Sequence, residues 1–491
     1  MPSRSIHPLP PDAGYCILVP DFLSASECRE LVDLSEGRGY TDAGSDYPPS
    51  YRNNDRHVLD SGKLAARLAG RLRGHVPDVL PADGVDWRYA GVNERIRFCR
   101  YRAGQRFNVH QDGVHHRDAG HRSHLTLLVY LTDGAAFAGG DTVFYAHGPR
   151  GDDAAAPIEL GRVRPRAGSL LLFDHAIWHA GADVSAGTKH VLRSDVMYRA
   201  AAAPGAVADD SVHRGYVWTL ADLGDGWTAS AGRDATIRIR PAGAGATRCL
   251  RGHDQSVLGL APLPGRRLAS VSRDRSLRVW DWAAGTCTTR VTAHDAAVLD
   301  VVALPAGRLA TGGADGLVKL WREDGGAIGT LSGHAGWVWQ VAPLGGGLVA
   351  SASEDGDVRI WDPASMRCTA VLAGERPLRT LLAHGDAIWT GDIDGRVTCW
   401  TRGDGDGGWQ RTGRFAAHGA AVRRLRDVGG GLVASCGEDR ALRVWDGARG
   451  VAVFEAWHEN FVTDALRSAG ALFSSSYDGR ILRHDGPLFL P

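Results

Sequence analysis

The feature that most constrains this chain is a pattern that recurs about every 40 residues through its second half. Segments opening at His213, His253, His294, His334, Glu375, His418 and His458 each carry an aspartate downstream: Asp234, Asp274, Asp315, Asp355, Asp394, Asp439 and Asp478. The separation is 21 residues in five cases, 20 in the last and 19 where Glu375 stands in place of His. Four residues before each aspartate is a hydroxyl: Ser230, Ser270, Thr311, Ser351, Thr390, Ser435 and Ser474. Six residues after it comes Trp280, Trp321, Trp361, Trp400 or Trp445, with Arg240 in the first repeat and His484 in the last. A repeat of this length is one supersecondary unit that buries its apolar face against its neighbours. His, Asp, Ser/Thr and Trp can link into a buried hydrogen-bonded chain that fixes each unit's turns. A side chain repeated at every unit serves packing, so these histidines read as structural.

Residues 213 to about 486 therefore resemble the WD40 repeat family, with "WD" itself at Trp280-Asp281, Trp361-Asp362 and Trp445-Asp446. The resemblance implies a seven-bladed β-propeller with four short antiparallel strands per blade. The fourth strand of the last blade could come from the tail "PLFLP" or from residues 203–212. Cys249, Cys287 and Cys368 fall at similar places in their repeats and read as small buried hydrophobes. The repeat register places Tyr216, Trp218, Arg233, Arg273, Trp337, Trp339, Arg379, Arg423, Phe461 and Tyr477 around the top mouth of the channel. Aromatic and Arg side chains are what a binding face uses. A protein or peptide is the expected partner, with Trp218, Trp337, Trp339 and Arg423 the leading contacts.

A chain of 491 residues exceeds one core. The stretch 199–211, "RAAAAPGAVADDS", is small and without periodicity. The expected division is 1–202, a linker at 203–212, and 213–491. Lys+Arg and Asp+Glu balance at 56 each, which gives no footprint for nucleic acid or an anionic membrane. The eight cysteines include no C-x-x-C pair, which argues against a zinc or disulfide framework. No apolar run suits a signal peptide or a membrane span, so a cytoplasmic location is expected.

In the first part, "DFLSASECRELVDLSE" (21–36) carries a Ser/Glu start signal and helical apolar spacing, and 59–75 reads as a second helix. From about residue 95 the pattern turns to short strands. Within them lies "FNVHQDG", where His110 and Asp112 are two residues apart and can face one side of a strand. That pair suggests a metal but needs a third ligand. His115, His116, His121, His124, His175 and His179 are the histidines on offer, and spacing alone does not choose among them.

The motifs "YRAGQRFNVHQDG", "LTLLVYLTDG", "GGDT" and "RPRAGSLLLFDHAIWHAGADVSAGTK" occur in the order seen in prolyl-4-hydroxylase-type iron(II)/2-oxoglutarate oxygenases, which residues 95–199 resemble. In that family a basic residue follows the distal His by ten. His179 and Lys189 meet this, whereas His175 would need Ser185. The resemblance implies a mainly β chain. Its first domain would be a double-stranded β-helix (jelly-roll, cupin-like) with supporting helices. It also implies iron(II) held by His110, Asp112 and His179, the facial triad that leaves one face open. 2-Oxoglutarate and O2 would take that face, with ascorbate as an expected reductant. Lys189 would hold the distal carboxylate of 2-oxoglutarate, with Arg193 the runner-up. Tyr101 and Tyr130 would touch the co-substrate, and Thr126 and Leu128 share Tyr130's face. Asp112 favours hydroxylation over halogenation, where a small residue replaces the carboxylate. The leading expectation is a peptidyl hydroxylase whose propeller recruits the substrate. The alternatives are a small-molecule hydroxylase and a non-catalytic scaffold.

Overall fold

The computed structural model describes residues 5–43, 52–82, 85–118, 120–146, 157–200, 213, 215–241, 245–403, 408–447 and 449–486, with the side chains of Val85, His116 and Asp118 left aside. Two compact units divide near residue 209.

In the first unit, the Ala25–Arg38 helix opens with a capping box. Ser24 Oγ accepts from the Glu27 amide at 3.2 Å and Glu27 returns a carboxylate to the Ser24 amide at 2.8 Å. The second helix, Gly62–Leu72, is shorter than the sequence suggests, because residues 55–60 pair as a strand. Its stripe of Leu64, Ala65, Leu68 and Leu72 is buried against the large sheet. Glu27 ties the helices together by pairing with Arg71 at 2.6 Å and with Arg67.

The large sheet runs, strand by strand, Cys16–Val19, Leu170–Asp174, His121–Tyr130, Val184–Ala200, Arg95–Arg102, Asp55–Asp60, Thr41–Asp42. A four-stranded sheet faces it: Glu159–Val163, Thr142–Tyr145, Trp178–Gly181, Phe107–His110. All the pairings are antiparallel, as in a double-stranded β-helix. Strand alternation sorts the side chains. Leu125, Leu127 and Val129 join the helix-side core, while Tyr130, Phe173 and Tyr101 join the core between the sheets.

The second unit is a β-propeller of seven consecutive antiparallel sheets, starting with Val217–Gly224. Six have four strands; among the described residues the last has three, Val462–Ser468, Ala471–Ser476 and Ile481–His484. Both candidates for its outer strand, 203–212 and 487–491, lie outside the described residues, as does the expected linker. In six blades the His and Asp of the repeat are bonded, from 2.8 Å in His253–Asp274 to 3.2 Å in His458–Asp478. The other imidazole nitrogen reaches the hydroxyl, as in His253–Ser270 at 2.8 Å, and Trp280 Nε1 donates to the same Ser270 oxygen at 2.8 Å. In the last blade His484 takes the Trp place, 2.8 Å from Ser474.

Channel-side residues clasp successive blades. Asp300, Gln340 and Thr380 accept the amides of Val341, Leu381 and Leu425 at 3.1, 3.1 and 2.9 Å. Asp464 closes the ring by accepting the Leu220 amide at 2.9 Å. One expectation fails: Cys287 and Cys368 are exposed and Cys249 is intermediate. The first two lie on the outermost strands of their blades, whose edges face solvent.

Candidate metal centre

The small sheet builds the centre. The Phe107–His110 and Trp178–Gly181 strands pair with His179 directly opposite His110. Asp112 follows His110 on a turn anchored by its amide, which donates to the His175 carbonyl at 3.0 Å. The result is a cluster of His110, Asp112 and His179 with ligand atoms within 4.8 Å of one another, all buried. Asp112 stands between the imidazoles. Its Oδ1 is 3.5 Å from His110 Nε2 and its Oδ2 is 3.6 Å from His179 Nε2.

Each imidazole donates Nδ1–H to a backbone carbonyl two residues back: His110 to Asn108 at 2.7 Å, His179 to Ile177 at 2.9 Å. Those bonds fix the tautomer and turn a lone pair on Nε2 toward Asp112. Phe107 stacks on His110 with centroids 3.6 Å apart, and Phe173 meets His179 edge-on at 4.6 Å. Burial pushes the His179 imidazole down to about 3, with His110 beside it adding to the effect against Asp112. Burial also lowers His110, opposed by its bond to Asp112. Burial alone would raise the Asp112 carboxyl. Arg193 and the two imidazoles outweigh it and hold the group well below the usual carboxylate range. Two neutral imidazoles and one carboxylate, with their Nε2 and O atoms converging, suit a divalent first-row cation. The donor set therefore fits iron(II).

Of the 2-oxoglutarate candidates, Lys189, Tyr101 and Arg193 line one cleft with His110 and His179, while Tyr130 is fully buried outside that lining. Lys189 pairs with Tyr101 across neighbouring strands, and Val191 pairs with Tyr130. Lys189 is 3% exposed. Its ammonium donates to the Gly140 carbonyl at 2.6 Å and lies 5.3 and 5.7 Å from the Tyr101 and Tyr130 rings. Among the described residues no carboxylate pairs with it. Burial pushes the Lys189 ammonium down to about 8, with Asp141 resisting. Gly139 and Gly140 both have φ near +70°, a turn that L side chains rarely adopt, and it aims the Gly140 carbonyl at Lys189. Tyr130 donates its hydroxyl to Thr142 at 2.8 Å.

Arg193 lines the same cleft as Lys189. Its guanidinium contacts Asp112 Oδ1, the carboxylate of the metal cluster. Leu128 lines the cleft as expected, while Thr126 donates its hydroxyl to Asp112 Oδ2. His175 turns away from the cluster toward Ser123 and Thr126. His115 and His121 are half-exposed, and His124 packs on Trp87 at 5.1 Å. Arg52 escapes sequence reasoning. It is 4% exposed, lines the cleft, and lies 4.2 Å above the Phe107 ring. Nothing in its local sequence marks it, because its segment reaches the cleft only through folding.

Residues 96–194 match the family model described as the 2OG-Fe(II) oxygenase superfamily. Residues 246–281, 285–322, 325–362 and 409–446 match the WD domain, G-beta repeat. The chain carries an oxygenase-superfamily domain and a WD40 propeller. That superfamily implies iron(II) and 2-oxoglutarate. Among curated relatives, the Nuclear distribution protein PAC1 of Arthroderma benhamiae is 28% identical over 272 residues, 47% of this chain and 49% of that protein. The protein of the same name from Coccidioides posadasii is 30% identical over 234 residues, 40% of each chain. The chain thus spans about half the length, or less, of the curated relatives it matches. No helix among the described residues is long and apolar enough to cross a membrane.

Most of the propeller candidates neighbour one another. Tyr216 and Tyr477 stack at 4.2 Å, Trp218 meets Tyr477 edge-on at 5.1 Å, and Arg423 donates to the Tyr477 hydroxyl at 2.7 Å. Next to them, Trp339 donates to Glu354 at 2.7 Å and lies under Arg379 at 4.3 Å, and Arg379 is within electrostatic reach of Arg423 and Tyr477. Trp337 is buried against Ala297 and Leu299 of the preceding blade, so it packs between blades.

Proposed function

We propose that this protein is an iron(II)- and 2-oxoglutarate-dependent dioxygenase that hydroxylates an unactivated C–H bond, with residues 1–202 catalytic, 203–212 a linker and 213–491 the recruiting propeller. The observation that carries the reading is the donor set: two tautomer-fixed imidazoles converging on one buried carboxylate, beside a buried lysine that pairs with no carboxylate among the described residues. His110, Asp112 and His179 would hold iron(II). Held there, iron(II) would supply oxidative decarboxylation of 2-oxoglutarate coupled to C–H oxidation.

The chain's own residues do the rest. The Lys189 ammonium binds the distal carboxylate of 2-oxoglutarate through a charge-assisted bond. Tyr101 would touch the co-substrate from the cleft wall, and Tyr130, bonded to Thr142 of that wall, would help exclude water. Thr126 and Arg193 hold the Asp112 carboxylate in place. A peptidyl side chain is the substrate we favour, because an aromatic and Arg-rich propeller face suits protein recruitment. A small-molecule substrate, with the propeller used for assembly, is the second reading. Ascorbate would serve as reductant, and a cytoplasmic setting suits the free cysteines.

The test is O2-dependent succinate release from 2-oxoglutarate with iron(II) and ascorbate, with and without a lysate, for wild type beside Asp112→Ala. Succinate that requires Asp112 supports the enzyme. Iron and 2-oxoglutarate binding without succinate above the variant overturns it. Trp218→Ala with Arg423→Ala in the full chain separates the substrate classes. A recruited protein loses turnover at low concentration, whereas a small molecule does not.

A further inference from the structure

Behind Asp112 runs a buried chain of hydrogen bonds that metal ligation by itself does not need. The His115 amide donates to Ser123 Oγ at 2.8 Å, and Ser123 Oγ meets His175 Nε2 at 2.8 Å. His175 Nδ1 meets Thr126 Oγ1 at 2.9 Å, and Thr126 Oγ1 donates to Asp112 Oδ2. Every side chain in it is buried: Ser123 and Thr126 at 0%, Asp112 at 3% and His175 at 4% exposure.

The direction of each bond follows from the inventory of donors. An ionised Asp112 only accepts, so the single Thr126 proton goes to it. The Thr126 oxygen must then accept from His175, which places the imidazole proton on Nδ1. His175 Nε2 is left as the acceptor for the Ser123 hydroxyl. Ser123 in turn accepts from the His115 amide. Every donor and acceptor along the line is used once and in one sense. A network satisfied in this way holds its members rigidly. The line ends on the oxygen that stands 3.6 Å from His179 Nε2, while Arg193 contacts the other oxygen. The two oxygens of Asp112 are therefore held from opposite sides.

We infer that His175 is a positioning residue that acts through Thr126 to orient the Asp112 carboxylate for the metal. The inference rests on the metal-centre reading above. It also gives a role to a histidine four residues before His179 whose spacing suits no ligand. Partners of this kind typically change metal affinity by about 10- to 100-fold.

The test measures Co(II) affinity by titration calorimetry and the ligand-field absorption of the bound ion, in the full chain. Thr126→Val should weaken Co(II) binding by about 10- to 100-fold and alter the spectrum, and Thr126→Ser should restore both. His175→Phe should weaken it by about 10-fold. The double variant should bind like Thr126→Val alone, because the two act along one line. If His175→Phe does not fold, judged by circular dichroism, His175→Gln carries the test. Wild-type Co(II) affinity and spectrum in the folded His175 variant overturn the inference, as does additivity with Thr126→Val. Asp112→Ala is the control that separates the two claims. If it binds Co(II) as tightly as wild type, the metal-centre reading itself fails. If it loses Co(II) while the His175 variant does not, only the positioning role falls.

Discussion

The chain buries histidines in two ways, and the difference lies in where the second ring nitrogen goes. In the propeller, His418 spends Nδ1 on Asp439 at 2.8 Å and Nε2 on Ser435 at 2.7 Å. Both nitrogens are consumed by one blade's own side chains. In the oxygenase domain, His110 and His179 spend Nδ1 on backbone carbonyls, and both Nε2 atoms turn to a single shared carboxylate. The first arrangement locks a turn. The second gathers donor atoms from separate strands around one point, which a structural histidine has no reason to do. Burial does not distinguish them: His110 is 2% exposed and His418 4%.

The largest expected effects set these two against each other. Asp112→Ala should lower succinate release by about a thousandfold or more, because the metal-bound chemistry depends on that ligand. It should leave the propeller's unfolding transition in place by calorimetry. His418→Ala should do the reverse. It leaves Asp439 and Ser435 without their buried partner, a loss of about 2–4 kcal/mol in denaturant unfolding. Succinate release per folded molecule should stay within about twofold, since the sites lie in separate compact units. A folded His418→Ala protein that has lost Co(II) binding would break the comparison.

What the sequence made legible follows from the same contrast. The propeller was readable because its histidines repeat with their partners at fixed spacing. The His110–Asp112 pair was readable from strand periodicity, but His179 required the family's spacing to Lys189. Period-two logic put Lys189 and Arg193 on one face and could not say that Arg193 would meet Asp112, since that contact comes from another sheet. His175 and Thr126 lie 49 residues apart, and Arg52 comes from a third segment. No local pattern joins residues whose proximity is made by the pairing of distant strands, as Phe173 with Thr126 and Arg52 with Phe107. Cys287 and Cys368 show the converse error, because equivalent places in a repeat need not be buried places.

Lys189 gives the next effect, and it divides function from stability within one residue. Its folded pKa is about 8 against an ordinary 10.5. Below pH 8 the folded chain carries a buried ammonium at a cost of about 3 kcal/mol. Between pH 8 and 10.5 the unfolded chain keeps a proton that the folded chain has lost, so this contribution to stability rises with pH. Lys189→Met should therefore raise stability by about 1–3 kcal/mol at pH 7 and flatten that rise, as read in denaturant melts. It should raise the KM for 2-oxoglutarate by about 100-fold. In wild type that KM should begin to climb above pH 8, and Lys189→Arg should remove the climb. A KM that Lys189→Met leaves unchanged would remove Lys189 from the co-substrate site.

The smallest effect belongs to the blade that departs from its siblings. Where six blades hold a buried His, the fifth has Glu375, whose side chain is 59% exposed and pairs with Arg411 at 3.0 Å and Arg414 at 2.6 Å. The turn-capping work has moved inward to Asp392, which accepts the amides of Asp394 and Arg396 at 2.9 Å each. The repeat's own Asp394 now pairs outward with Arg376. An exposed ion pair contributes about 0–1 kcal/mol, so Glu375→Ala should shift stability by no more than about that much, where His418→Ala removes several times as much. Asp392→Ala should cost more than Glu375→Ala, because it strips two half-buried amides of their acceptor. Equal costs for Glu375→Ala and His418→Ala would mean that the fifth blade still depends on the residue at the histidine position. The burial of Asp392 predicts otherwise: this blade keeps its turn with a carboxylate two residues earlier and does without the imidazole.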